Sequence, residues 1–376
     1  MRKNPTDQRQ LIAEAVLHVR GGQANSRSTL AALMGLSRST AGLYVDQLIA
    51  SGHLHESGLE QGAMGRPKRT LTTAPDAGWF AGVEFNAERV QAVRVDFSGR
   101  VTGRQTKPLP ADANSRAVMQ EIKSAVSILA RHATGPLLSI GAGAPGVVDP
   151  RRGVGLYYAF IPDWRNVPIA KALGDRFKAP VAVDNNLRTI ALAEKWFGGG
   201  RDLDHYAILG PRAGFGMAMV QHGRLTSGAH HAAGEIGLWP WRATTGGGYE
   251  ELHDALSSTA IWRRLAGVPA RAKTPANLRT ALAPFANAAG ARWDEIVADY
   301  ARVLGCVQLL LDLEVYFLHG PLTALGGRFC EGIAAAALRL VPALGDNPLR
   351  VVPSTLNDEA GALGAASMAM EAWMPG

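Results

Sequence analysis

Residues 26–69 read SRSTLAALMGLSRSTAGLYVDQLIASGHLHESGLEQGAMGRPKR. Ala31 and Gly35 stand four apart, which places a small side chain on one helix and a turn glycine just after it, so a second helix can cross close by. Leu36 follows as an apolar plug, and Ser37 is a good N-cap for the next helix. In that helix Ala41, Val45 and Leu48 recur at i, i+4, i+7, which predicts the inward face. Arg38, Ser39, Gly42 and Leu43 are left outside. A recognition helix needs this division: packing on one side, short polar and Arg side chains for a major groove on the other. Leu54–Glu56 and Lys68–Thr72 are expected to pair as a wing, whose tip ends in Gly65-Arg66-Pro67-Lys68-Arg69. A stiff Gly-Arg-Pro can lay an Arg along a narrow minor groove. The DNA contacts expected of this head are Arg27, Ser37, Arg38, Ser39, Thr40, Leu43, Tyr44, Gly65, Arg66, Pro67, Lys68 and Arg69. The competing reading is a surface helical hairpin with a basic loop.

The whole chain has 376 residues and a formal charge of +7. Residues 1–75 hold nine Lys/Arg against five Asp/Glu, so the head is basic on a milder body, as a polyanion partner requires. The length suggests two or three domains. Cys306 and Cys330 are too few for a disulfide framework or a multi-Cys zinc site, and both lie in apolar stretches that read as core. No signal sequence precedes the head and no apolar run is long enough to span a bilayer, so the expectation is a reduced, cytoplasmic protein with no membrane partner.

Thr72 to Gly78 (TTAPDAG) reads as the joint between head and body. Beyond it, strand-like and helix-like stretches alternate, which argues an α/β body. Strands are expected near 80–96, 138–148, 181–184, 206–209, 216–221, 322–326 and 349–352. Helices are expected near 115–132, 167–177, 187–197, 334–344 and 359–373, with helices dominating from 250 and a long apolar one running to Phe317.

Several motifs then appear in order. They are Gly82-Val83-Glu84, Gly141-Ala142-Gly143-Ala144-Pro145-Gly146, Trp164-Arg165-Asn166-Val167-Pro168, Asp184-Asn185-Asn186, Gly214-Phe215-Gly216, Ala233-Gly234-Glu235-Ile236-Gly237 and Leu325-Gly326-Gly327. In this order and spacing the body resembles the ROK family (repressors, open reading frames and kinases) over nearly the whole chain. The head resembles the winged helix of that family's repressor branch. The resemblance implies a winged helix-turn-helix at 1–75, mostly α, followed by a two-lobed actin-like, sugar-kinase-like ROK body at 76–376. Lobe I would span about 79–193 plus a closing helix at about 356–376, and lobe II about 194–355.

The departures from family kinases matter as much as the matches. Their first phosphate loop, of the type Asp-x-Gly-Gly-Thr, is here Glu84-Phe85-Asn86-Ala87-Glu88, and their second, Gly-Thr-Gly-x-Gly, is Arg212-Ala213-Gly214-Phe215-Gly216. Their catalytic Asp falls at Asn186. An amide can hydrogen-bond a sugar hydroxyl but cannot accept its proton, a loss of about 10²–10⁴ in rate. Leu238 stands where many members carry a zinc-binding His, and residues 244–251 hold no Cys, so no metal and no cofactor are expected.

The resemblance leaves Glu235, Asn185, Asn186 and His253 as effector contacts, with Phe160 where an Asn is common. The competing reading is that Glu235 and Asn186 only satisfy local backbone. The expected function is a DNA-binding regulator, foremost a repressor. It would bind a double-stranded operator as a homodimer or homotetramer and respond to a sugar-like effector. The alternatives are an active sugar kinase and a regulator gated by a protein partner.

Overall fold

The structure, a computed structural model, describes residues 5–60, 68–345 and 347–375. The head contains α1 (Pro5–Arg20), α2 (Arg27–Leu33), α3 (Arg38–Ala50) and an antiparallel pair, β1 (Leu54–Glu60) with β2 (Lys68–Thr73). Ser26 starts α2 through a reciprocal capping box with Thr29, and the Ser37 side chain accepts from the Thr40 amide to start α3. Val16, Leu30, Val45 and Leu54, each fully buried, form the centre of this small domain.

The body opens with β3 (Trp79–Phe85), β4 (Arg89–Asp96), β5 (Val101–Pro108), α4 (Ser115–Ala130) and β6 (Leu137–Ala144). A small antiparallel sheet follows, β7 (Val147–Asp149), β8 (Val154–Tyr157) and β9 (Arg165–Val167). Then come α5 (Ile169–Phe177), β10 (Val181–Asn185) and α6 (Asn186–Phe197). The main sheet has the order β10-β6-β3-β4-β5. The helix expected from Val167 begins at Ile169, because Val167 ends β9 and Pro168 intervenes.

Gly82 of β3 is the direct register partner of Gly141 of β6. The last helix, which carries Ala362, Ala365 and Ala366, lies against this pair so closely that a Cβ on Gly141 would overlap the Ala365 carbonyl, and one on Gly82 the Ala362 carbonyl. Two bare positions side by side thus let a helix backbone lie on the sheet.

The remaining elements are β11 (Tyr206–Leu209), β12 (Met217–Gln221), β13 (Arg224–Thr226), β14 (Pro240–Ala243), β15 (Tyr249–Glu251), α7 (Leu252–Leu256), α8 (Ser258–Ala266), α9 (Leu278–Leu282), α10 (Ala291–Leu311), β16 (Val315–Leu318), α11 (Gly326–Leu340), β17 (Val351–Pro353) and α12 (Ala360–Glu371). Their main sheet runs β13-β12-β11-β16-β17. Several sequence expectations fail here, among them the helix expected at 334–344, which runs from Gly326 to Leu340. The long helix stops at Leu311, where Asp312 turns left-handed, and Val315–Leu318 is a fully buried strand parallel to both neighbours. The strand expected at 322–326 is a 3-10 turn, Pro321–Leu325. A four-residue apolar run flanked by helix carries no period to tell strand from helix. Cys306, expected in the core, is exposed on the outer flank of α10, whereas Cys330 is buried and its thiol is pushed up to about 12 by burial.

The chain divides into two compact units, Met1–Thr189 with Gly361–Gly376, and Ile190–Ala360. The head shares the first unit with the first lobe. Arg20, at the end of α1, donates from Nε to the Phe97 carbonyl at 2.8 Å and lies over the rings of Phe97 and Phe80. His53, just before the wing, packs on Phe97 and on Trp373, with ring centroids 5.1 and 4.9 Å away. Among the described residues, no helix is long and apolar enough to cross a membrane.

Candidate functional site

In the head, α3 buries Ala41, Tyr44, Val45 and Leu48. Its exposed residues are Arg38, Ser39, Leu43, Asp46, Gln47 and Ala50, a row in which Ser39, Leu43 and Gln47 follow at i, i+4, i+8. Leu43 is 53% exposed and available on this face for apolar contact, as with a thymine methyl. The helix start, with its free amides and positive dipole end, carries Arg38 on the same side. Ser37 is exposed but spends its hydroxyl as the cap, and Thr40 is half-buried.

Two expected contacts change role. Tyr44 is 4% exposed and belongs to the inward face, at i+3 from Ala41. Arg27 is a clamp: Nε and Nη2 donate to the Glu56 carboxylate at 2.9 and 3.1 Å, and Nη1 reaches Asp46 at 2.7 Å and the Gly42 carbonyl at 3.3 Å. One guanidinium therefore joins α2, α3 and the wing strand β1. Hydrogen bonding from Arg27 holds the Glu56 carboxyl below its ordinary range, and the same bond raises Arg27. Arg69 points outward, 68% exposed, with Glu56 3.7 Å away. Gly65, Arg66 and Pro67 lie outside the described residues, and of Lys68 only the backbone, paired with Glu60, is described.

In the first lobe, β10 delivers Asp184-Asn185-Asn186 to the start of α6. The Asp184 carboxylate accepts from the Asn185 amide at 2.7 Å and from Arg188, one turn on, at 2.9 Å; both partners of this ion pair are buried. Asn185 donates from Nδ2 to the Gly146 carbonyl at 3.0 Å and accepts from the Leu187 amide at 2.8 Å, so its side chain serves the backbone. Asn186 donates to Oε1 of the fully buried Glu84 at 3.4 Å. Chemically, this corner offers hydrogen bonds to a hydroxyl.

In the second unit, Glu235 is exposed on the loop before a 3-10 turn. His253 is committed to structure. Its Nδ1 accepts from the Phe215 amide at 2.8 Å, and the ring sits against Gly214 and Gly237, where a Cβ would strike it. The loop it supports is closed by backbone bonds from Gly210 to Gly216 and from Arg212 to Gly214, each 2.9 Å. Among the described residues, no group of three or more His, Cys, Asp or Glu side chains is arranged to hold a metal ion.

The family model for ROK matches residues 80–372. The chain belongs to the ROK family. The match leaves the head outside it. A xylose repressor from Caldicellulosiruptor bescii is 27% identical over 216 residues, 56% of this chain and 54% of that protein, so the chain spans about half the length of the repressors it matches. A Thermotoga maritima glucokinase is 25% identical over 77% of this chain and 96% of its own. A ROK family transcriptional regulator, a homologue of the Escherichia coli Mlc protein, superposes with TM-score 0.79 over 97% of both chains at 19% identity, a likeness of fold that includes the head.

Sequence reasoning missed several residues of this ROK chain. Gln47 shares the face of Ser39 and Leu43, and its i+8 spacing was readable. Arg188 fills the inside of the Asp184 corner, readable only as an i+4 acid–base pair. A cavity of about 460 Å³ in the second unit is lined by Arg279 and residues 354–359, and nothing in the local pattern announces it.

Proposed function

We propose that this ROK chain is a DNA-binding transcriptional repressor whose body senses a sugar-like effector without phosphorylating it. The observation that carries the reading is the outer face of α3, with Arg38, Ser39, Leu43 and Gln47 displayed over a buried Ala41–Tyr44–Val45–Leu48 face. Support comes from the wing that Arg27 locks to α3 and from relatives named xylose repressor. Arg38 and the α3 start would enter the major groove, with Arg69 of the wing as a further contact. A homodimer or homotetramer would set two heads on a two-fold operator. In the body, Asn186 offers an amide where a phosphoryl-transfer site needs a proton acceptor, so the corner would bind a hydroxyl without activating it. Inducer and operator would then oppose each other through one shared coupling factor. Binding an operator would place its action in the cytoplasm, where the DNA lies.

Fluorescence anisotropy with DNA from the chain's own promoter region tests the reading. Binding should be sequence-selective, and it should fall steeply with salt. Arg38→Ala should weaken it by about 5- to 100-fold, the range for one base or phosphate contact. Equal affinity for scrambled DNA, or ATP-dependent turnover of any hexose, pentose or amino sugar, would overturn it.

A further inference from the structure

We infer that Trp373, just past the end of α12, is the positioning residue through which the body addresses the DNA-reading head, by its ring on His53. This rests on the DNA-binding reading above.

His53 stands between the recognition helix α3 and the wing strand β1, and its backbone is bonded to both reading elements. Its amide donates to the Leu48 carbonyl, in the last turn of α3, at 2.8 Å. Its carbonyl accepts from the Ala74 amide, just past β2, at 3.0 Å. The ring is held as well, because Nδ1 shares a 2.7 Å hydrogen bond with the hydroxyl of Ser51, the C-cap of α3. A displaced His53 therefore takes the end of α3 and the base of the wing with it.

The same ring packs on two rings of the first lobe. The Trp373 centroid lies 4.9 Å from His53 and 5.0 Å from Phe97, and Phe97 lies 5.1 Å from His53, so the three rings close a triangle. Phe97 is fully buried and Trp373 nearly so. Phe97 is a fixed point, since its carbonyl takes the Arg20 donor that ties α1 to this lobe. Trp373 differs in having a whole helix behind it. The backbone of α12 rests at Ala362 and Ala365 directly on Gly82 and Gly141, with no side chain between to absorb a shift. From Ala362 to Trp373 is about 16 Å along the helix, so a tilt of about 10° at that seat would move the indole by about 3 Å. Close-packed rings do not absorb such a step: they carry His53 along or they part. At its other end α12 follows directly on residues 354–359, which line the cavity of about 460 Å³. A change in that loop thus has one stiff element leading from it to the head.

Hydrogen exchange on the full chain, with and without duplex DNA from its own promoter region, tests this. In wild type, DNA should slow exchange in α3 and also in residues 366–375, there by about 5-fold or more, the lower range of a coupling between sites. Trp373→Leu and His53→Leu should keep the effect in α3 and abolish it in 366–375; at residues 95–99, tethered by Arg20, it should persist. Trp373→Phe, which restores a ring, should bring it back. Protection confined to the head in wild type overturns the inference. So does protection of 366–375 that survives both Leu variants, or that Phe fails to restore. Should a Leu variant unfold the head, seen as fast exchange in α3 without DNA, the wild-type pattern alone decides. If promoter and scrambled DNA bind alike, the DNA-binding reading falls and the inference with it. If binding is selective and 366–375 is unmoved, only the inference falls.

Discussion

Arg20→Met is expected to leave stability within about 2 kcal/mol of wild type, whereas Arg20→Ala should cost about 2–4 kcal/mol. Arg20 is half-buried as a residue, but its guanidinium is enclosed between head and first lobe. On the favourable side, a charged donor meets the Phe97 carbonyl at 2.8 Å, worth about 1.5–3 kcal/mol. The guanidinium also lies 4.6 and 5.2 Å from the Phe97 and Phe80 centroids, worth about 0.5–2 kcal/mol each. Against this, Nη1 and Nη2 meet no acceptor among the described residues. Burial, only partly offset by Asp96, pushes the group from 12.5 down to about 9, which is about 5 kcal/mol against the charged form. The opposing contributions nearly cancel, and the group stays charged at pH 7. What does not cancel is the stem, which passes beside Gly99 and carries the guanidinium to the Phe97 and Phe80 rings. Methionine keeps a stem; alanine does not. Urea unfolding gives the two differences, and hydrogen exchange at the end of α1 shows whether the loss is local to the joint. A Met variant destabilised by more than about 3 kcal/mol would mean that the charge itself holds the head, against the balance drawn from burial. An Ala variant equal to wild type would mean that the stem packs on nothing.

Gly141→Ala should lower stability by about 1–3 kcal/mol or more by lifting α12 from the sheet, while Gly246→Ala, which meets nothing within 4 Å, should not; thermal unfolding compares them. Asn186→Asp should cost about 1–3 kcal/mol at pH 8, because it sets a second carboxylate beside buried Glu84. One carboxyl of that variant then takes up a proton more readily folded than unfolded, so the deficit should shrink on acidification to pH 5; a deficit independent of pH would refute the pairing. His319 is lowered from 6.5 to about 3, by burial first and by Arg212 next, with Asp358 and Arg279 also in range. The unfolded chain takes that proton near 6.5 and the folded chain does not, so stability falls as pH drops from about 6.5 toward 3. His319→Gln should flatten this acid limb in urea titrations, and an unchanged slope would assign it to other groups.

The head was the most legible part of the chain. Local rules set it: caps at Ser26 and Ser37 and an apolar stripe on α3, all within thirty or so residues. Tyr44 was misassigned although its i+3 spacing from Ala41 placed it inside. The body was legible as alternating strands and helices, but not at 315–318, where four apolar residues carry no period, nor at 321–340, where a 3-10 turn and a helix from Gly326 replace the expected strand and later helix. The effector set was least legible. Asn185 and His253 look like ligand groups by type, yet each is taken by a backbone partner that only folding brings near.

By itself, then, the order of side chains determined where α2 and α3 start, which face of α3 turns inward, and that Asn186 is an amide, because these depend on neighbours a few residues away or on chemical identity alone. Only the tertiary structure decided that Arg27 spends its charge on Glu56 and Asp46, that Gly82 and Gly141 lie side by side under α12, and that Arg20 and His53 meet Phe97 and Trp373. Those partners are tens to hundreds of residues apart, and a hydrogen bond or a ring contact forms only when the chain's packing brings both members within a few ångströms.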